Sequence, residues 1–275
     1  MSGEYEIPRE IIQHYEEDYD EAERLFGGGW GQVELLRTRE LIRRFIPDAP
    51  AKIIDIGGGP GVYAEWLTGL GYEVHLIDPV ARHVDQAEQR SADIAVAEVG
   101  DARSLDYPDD SFDVALLLGP LYHLIERDDR LQALREARRV TKTGKPVLVA
   151  AINRFASAID LLYGGTIDDP EFRAIADRDM VDGVHLNTTE DPRYFTTAFF
   201  HRADELEREL SDAGLTGVEL FAIEGIAWAA PDLDERIADP EKRRHLLGLL
   251  AKLEREETLF GATGHILAVG WATAG

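Results

Sequence analysis

Apolar and polar positions change rhythm twice along this chain. Over residues 7–26 the apolar positions Ile7, Ile11, Ile12, Tyr15, Tyr19 and Ala22 recur at three- and four-residue steps, the spacing of one helix face. The stretch "GGGWG" at 27–31 interrupts that pattern. A second amphipathic helix is predicted from Val33 to Phe45, and "PDAP" at 47–50 closes the segment. Short apolar runs then alternate with helical ones. Strands are predicted at Lys52–Ile56, Glu73–Ile77, Ile94–Glu98, Phe112–Leu118 and Lys145–Ile152. Helices are predicted between them at Val62–Leu70, Val80–Arg90 and Arg127–Val140. The near-continuous apolar run "FDVALLL" at 112–118 fits a strand covered on both faces.

The alternation stops at Asn153. Residues 153–200 carry aromatics, acids and turn formers without a clear strand, too long for a plain connection and typical of a lid or binding insertion. Regularity returns with a helix over Ala203–Ala213, a strand near Gly217–Ile223, a helix around Pro240–Glu256 and a last strand at His265–Trp271. The expected fold class is α/β: a doubly wound, mainly parallel seven-stranded sheet with helices on both faces and an antiparallel edge formed late. The organisation expected from this is an N-terminal helical lid (1–49), a Rossmann-like core (50–153), an insertion after the fifth strand (154–200) and a segment that completes the sheet (201–275).

Composition narrows the function. Fifty-three acids against 29 bases leave a net charge of −24, and only five of the bases are Lys. Nucleic acid and anionic membrane bind clustered Lys and Arg, so neither is an expected partner. The acidity fits an ordinary soluble protein, with an organism of high internal salt as the alternative. There is no Cys, and no run of eighteen apolar residues. The start "MSGEYEIPRE" is unlike a signal peptide, which makes the cytoplasm the expected location.

The chemistry begins at "KIIDIGGGPGVY", residues 52–63. Four glycines in five positions mark a place where something approaches the backbone closely. A Walker loop fails, because Gly61 is followed by Val62 and Tyr63 rather than Lys and Ser or Thr. The dinucleotide fingerprint fails in both registers, at Val62 and at Pro60. What remains is Asp55-x-Gly57-x-Gly59-x-Gly61 at the end of a first strand. With "VHLIDPV", "GDARSL" and "LLLGPLYHL" following in order, residues 50–153 resemble the class I S-adenosylmethionine-dependent methyltransferases of small-molecule type.

The resemblance implies a cofactor site residue by residue. Asp55 would organise the loop, and Gly57, Gly59 and Gly61 would let the methionine portion lie against backbone. Asp78 would accept hydrogen bonds from the ribose hydroxyls. Asp101 would face the adenine amino group, Ala102 a ring nitrogen through its N–H, and Leu118 and Gly119 would border cofactor and substrate. Tyr15 and Tyr19, four apart on one helix face, would close over the sulfonium as a lid. Arg24 and Glu34 flank the glycine-rich stretch and would hold that lid shut.

The expected activity is methyl transfer to an O or N atom of a small molecule, by a monomer or homodimer. The candidates for a base or substrate contact are His123, at the carboxyl end of a central strand, His201 and Tyr194. Arg154, Arg173, Arg178 and Arg193 in the insertion leave an anionic or aromatic acceptor open. No metal is expected, since no His-x-x-x-His pair or Cys cluster is present. The competing function is a cofactor-binding regulatory or partner subunit without its own transfer activity. A nicotinamide-dependent oxidoreductase is disfavoured by Val62.

Overall fold

A computed structural model describes residues 9–15, 21–189 and 191–274. In chain order it contains α1 (Arg9–Gln13), α2 (Glu21–Arg24), α3 (Gly28–Phe45), β1 (Lys52–Ile56), α4 (Val62–Thr68), β2 (Glu73–Asp78) and α5 (Ala81–Arg90). There follow β3 (Val96–Val99), β4 (Val114–Leu117), α6 (Arg127–Val140), β5 (Pro146–Ile152), α7 (Ala156–Tyr163), α8 (Pro170–Asp182), β6 (Val184–His185) and β7 (Ala198–Phe199). The chain ends with α9 (Ala203–Asp212), β8 (Thr216–Ala222), α10 (Leu233–Ala238), α11 (Pro240–Leu253) and β9 (His265–Trp271).

Seven strands form one sheet in the order β3-β2-β1-β4-β5-β9-β8, and β6 and β7 pair separately. The strands β1 to β5 run parallel, while β9 is antiparallel to both β5 and β8. Successive residues of β1 face opposite ways, as the two-residue period demands. Ile54 and Ile56 pack with Leu131 and Leu134 of α6 and Leu206 and Leu210 of α9. Ile53 packs with Leu41 and Ile42 of α3 and Leu67 of α4. The strand order reverses between β1 and β4, and a crevice opens at their carboxyl ends, where open α/β sheets bind ligands.

The N-terminal segment departs from the expectation. Its first helix is α-helical to Gln13 and turns π-helical at His14 and Tyr15, and residues 16–20 lie outside the described residues. The helix α3 begins at Gly28, so all of "GGGWG" but its first glycine lies inside a helix. Each glycine costs about 1 kcal/mol of helix propensity relative to Ala, and tertiary contact overrides that. A Cβ on Gly29 would sit 2.9 Å from the Asp234 carboxylate, and one on Gly31 would sit 2.4 Å from the Arg24 carbonyl oxygen. The Gly29 N–H donates to Asp234 of α10, so a distant side chain caps this helix start. The helix α10 itself was not expected.

The insertion is also more regular than its composition implied, holding α7, α8 and the β6–β7 ladder. Asp169 caps α8 by accepting the N–H groups of Glu171 and Phe172 at 3.0 and 3.2 Å. Pro170 occupies the first turn, and Gly183 ends the helix at φ 81°. Those are ordinary start and stop signals, readable in "DDPEF" and "DG". No helix among the described residues is long and apolar enough to cross a membrane.

Candidate active site

The loop after β1 is held by the acid at the end of β2. Asp78 Oδ2 accepts the Gly59 N–H at 2.9 Å, and its Oδ1 accepts the Val80 N–H at 2.9 Å. His83 Nδ1 lies 3.0 Å from the same Oδ1. Gly57 donates its N–H to the Ile77 carbonyl at 2.6 Å, and Gly57 and Gly59 have φ of 68° and 55°, a region that favours glycine. Asp78 therefore organises the loop, the task the resemblance implied for Asp55.

Asp55 does something else. It is 1% exposed, and neither carboxylate oxygen has a hydrogen-bond partner among the described residues. Burial, with the Asp78 charge behind it, pushes its carboxyl up to about 7. A Cβ on Gly58 would come within 2.8 Å of that carboxylate, and one on Gly57 within 2.6 Å of Pro120. Bare backbone thus keeps the space beside an unsatisfied acid open.

A cleft of about 1280 Å³, its mouth included, runs along this loop. From β1 and its loop it is lined by Asp55, Gly57 and Gly59. The end of β2 and the segment after β3 contribute Asp78, Asp101 and Ala102, and the segment after β4 contributes Leu118, Gly119 and His123. Tyr15 reaches it from the N-terminal segment. The Asp101 carboxylate is tied to Arg103 through its backbone N–H at 2.8 Å, Nε at 3.0 Å and Nη2 at 2.7 Å. Gly61, at φ 79°, instead lets α4 approach α5, since a Cβ there would meet Ala87 at 2.8 Å. Tyr19 lies outside the described residues.

His123 joins the N-terminal segment to the insertion. Its Nδ1 lies 3.5 Å from the Thr197 carbonyl, which can only accept, so the proton belongs on Nδ1. Its Nε2 is then free to accept from the Tyr15 hydroxyl at 2.8 Å. Burial drives the ring down to about 4, so it is neutral at pH 7. Ile11 and Tyr15 pack on Val80, which brings the N-terminal segment across the loop after β2. Phe195 of the insertion packs on the rings of His14 and His123, with centroids at 5.6 and 5.8 Å.

His201 and Tyr194 are not among the residues that line the cleft. His201 is fully buried and turned toward α9, its Nε2 3.2 Å from Glu209, and burial lowers its pKa. Glu209 takes Arg130 Nη2 at 2.8 Å and Nε at 3.0 Å, so His201 belongs to a buried ion cluster that clamps α6 to α9. Tyr194 donates its hydroxyl to Asp169 at 2.7 Å and stacks on Phe172. Arg154 is likewise spent inside the fold, on the Phe200 carbonyl at 2.8 Å and Glu205 at 2.6 Å.

The far end of the cleft holds a charged cluster that sequence reasoning only half found. Arg24 grips Glu34 through two hydrogen bonds of 2.6 and 2.9 Å. Beside them His265 Nδ1 lies 2.6 Å from Glu224 and 3.9 Å from Glu34. Burial favours a neutral Glu34, but Arg24 and His265 outweigh it and bring the carboxyl below its usual range. One ligand atom each from Glu34, Glu224 and His265 falls within 4.8 Å, a spacing suited to a cation. Arg24 and the proton on His265 already supply positive charge there. Sequence reasoning missed His265; the sheet places it, since it opens a strand antiparallel to β5 and so sits beside the ligand-binding end, paired with Ile152.

Residues 54–149 match a family model described as a methyltransferase domain. A methyltransferase named GfsG from Streptomyces halstedii is 30% identical over 138 residues, which are 48% of this chain and 45% of that protein. The matched part is thus about half the length of that relative. A demethylmenaquinone methyltransferase from Paenarthrobacter aurescens is 27% identical over 224 residues, 78% of this chain and 81% of that protein. Among solved structures, a Thermotoga maritima protein described as an S-adenosylmethionine-dependent methyltransferase, possible histamine N-methyltransferase, has a TM-score of 0.56 at 18% identity. That match covers 89% of this chain and 93% of the other, and at such identity it is the fold that is shared.

Proposed function

From the premise that residues 54–149 form a class I S-adenosylmethionine-dependent methyltransferase domain, we propose that this chain methylates an oxygen or nitrogen atom of a small molecule held in the cleft. The observation that carries the proposal is the Tyr15–His123 pair: a buried neutral imidazole, with a phenol hydroxyl at 2.8 Å, lines the same cleft as the glycine loop. A small acceptor is also supported by the Paenarthrobacter relative, whose name makes demethylmenaquinone its substrate.

The cleft fits the cofactor on two counts. The loop offers backbone where a Cβ would fill the space, at Gly57 and Gly58. Asp55 offers two buried oxygens without a partner among the described residues, which an ammonium group would satisfy. When bound, S-adenosylmethionine supplies an electrophilic methyl carbon on a sulfonium. In this assignment Asp55 holds the ammonium end. Asp78, already bonded to Gly59, Val80 and His83, offers the remaining lone pair on Oδ2 to a ribose hydroxyl. Asp101 and the Ala102 N–H take the adenine edge, and Leu118 and Gly119 border the acceptor. Tyr15 and Ile11 cover the cleft and keep water out, so that positioning alone carries much of the rate.

Proton removal falls to the pair. The Tyr15 oxygen accepts the acceptor's proton while its own passes to His123 Nε2. A carboxylate acceptor bypasses this step. Residues 1–49 serve as lid and 154–200 as acceptor-recognition insertion, the latter reaching the site through Phe195 and Thr197. Residues 50–153 form the cofactor core and 201–275 complete the sheet. The test is incubation with S-adenosylmethionine and a panel of small hydroxyl, amine and carboxylate compounds. S-adenosylhomocysteine should accumulate with an acceptor that exchanges one hydrogen for methyl. Tight cofactor binding without turnover on any compound would point to a binding subunit instead.

A further inference from the structure

Besides His123 and His83, the cleft is lined by a histidine for which the proposed mechanism has no use. His265 is the first residue of β9, and its Nδ1 is fixed by Glu224 Oε1 at 2.6 Å. Glu224 is fully buried and cannot swing away, because its Oε2 accepts the Thr263 hydroxyl at 3.0 Å and the His265 N–H at 2.9 Å. Glu34 lies on the same edge of the ring, 3.9 Å from Nδ1, and is itself pinned by Arg24. Flipping the ring would forfeit the short bond, so the opposite edge, with Nε2, is the one presented to the cleft. The side chain keeps 19% of its surface exposed, and Nε2 has no protein partner among the described residues.

The charged groups around the ring set what that edge offers. They are Glu34 of α3, Glu224 after β8, Arg24 of α2 and Asp160 of α7, whose carboxyl burial and Glu224 push up to about 6. Burial opposes charge on the imidazole, but Glu34 and Glu224 prevail and raise it to about 9. Two of the cleft's histidines are therefore of opposite character, a neutral one at His123 and a charged donor at His265. A charged N–H is a strong hydrogen-bond donor, and it repels an ammonium group at contact.

We infer that His265 recognises the methyl acceptor, donating its Nε2–H to a carbonyl or carboxylate oxygen that the acceptor carries at this end of the cleft. Naming the ligand as the methyl acceptor rests on the proposed function; the donor is a property of the cleft whatever the cleft carries. Arg24 and Glu34, which neutralise each other, position the ring through Glu34 without taking up the Nε2 edge.

The test uses the full chain with isotope-labelled histidine, followed by NMR of the imidazole nitrogens. The probes are benzoate, acetophenone and, lacking oxygen, toluene; the His265→Gln variant assigns the signal. Benzoate or acetophenone should move the His265 Nε2 signal at concentrations about ten-fold below toluene, and should bind the variant about ten-fold more weakly. Response to benzoate alone assigns a carboxylate, and response to both assigns a carbonyl oxygen. If neither moves the signal, or toluene moves it equally, the inference is overturned. Binding of S-adenosylhomocysteine is measured separately by calorimetry. Its failure beside an intact probe preference would sink the proposed function and leave this inference standing.

Discussion

The Tyr15 hydroxyl lies 2.8 Å from His123 Nε2 across 108 residues of sequence. That bond ties the N-terminal segment to the loop after the fourth strand, and under the proposed function it makes the covering of the cleft and the presentation of a base one structural event. Replacing Tyr15 with Phe should slow turnover while leaving the fold intact, because the ring still packs on Val80. Replacing His123 with Ala should cost about a hundred-fold or more in kcat for a hydroxyl or amine acceptor. Neither change should move S-adenosylhomocysteine affinity by more than a few-fold. Parallel loss of affinity and rate would give the pair a structural role only.

The two strand-end acids should separate in a melting experiment. Asp78→Ala strands the Gly59 and Val80 N–H groups. It should lower stability by roughly 1–3 kcal/mol per buried group left unpaired and weaken cofactor binding as well. Asp55→Asn removes a buried carboxylate that nothing among the described residues satisfies, so the melting temperature should hold or rise while cofactor affinity falls. Thermal melts and calorimetry on the two variants check the contrast, and matching behaviour would refute it.

Cofactor affinity should depend on pH through Asp55. Its carboxyl is held up at about 7 by burial, so the free protein at pH 6 carries the proton. Pairing with an ammonium requires the ionised form, so binding releases that proton. The dissociation constant should tighten as pH rises toward 7, by up to about ten-fold per unit, and level off above. The slope should vanish in Asp55→Asn.

His265 should make stability fall in alkali. Its folded pKa of about 9 lies above the ordinary value of 6.5. The folded state therefore holds the proton more tightly, and the gain is complete below 6.5. It is lost as pH rises to 9, and is worth on the order of 3 kcal/mol. Denaturant titrations at pH 6 and pH 10 should show this difference shrinking in His265→Gln.

The buried Arg130–Glu209–His201 cluster should matter to folding rather than to chemistry. Glu209→Ala leaves Arg130 buried without its carboxylate, at a cost of about 3–5 kcal/mol. Chemical denaturation measures it, and kcat for the fraction that remains folded should be unchanged.

The α/β alternation, the bounds of β1, α6 and β9 and the glycine loop were legible in the sequence, because each depends on local pattern. Apolar periodicity selects strand or helix, and a residue without Cβ marks a close approach wherever it falls. The missed elements were not all hidden. The cap, proline and glycine of α8 stood in "DDPEF" and "DG", whereas α3 starts early only because Asp234 arrives from elsewhere in the chain.

Side-chain roles obeyed a different rule. Which acid holds the loop and which stays unsatisfied depends on whether a given oxygen reaches a given N–H, and Asp55 and Asp78 look equivalent along the chain. His123, His201 and His265 were likewise three histidines near strand or helix ends. Folding sent one to a phenol, one to a buried ion pair and one to a pair of carboxylates. Local pattern specified the scaffold and the glycine loop, since backbone conformation is largely a short-range property. The protonation and duty of each titratable group waited on assembly, since burial and charge at a few ångströms are set by residues far away in sequence.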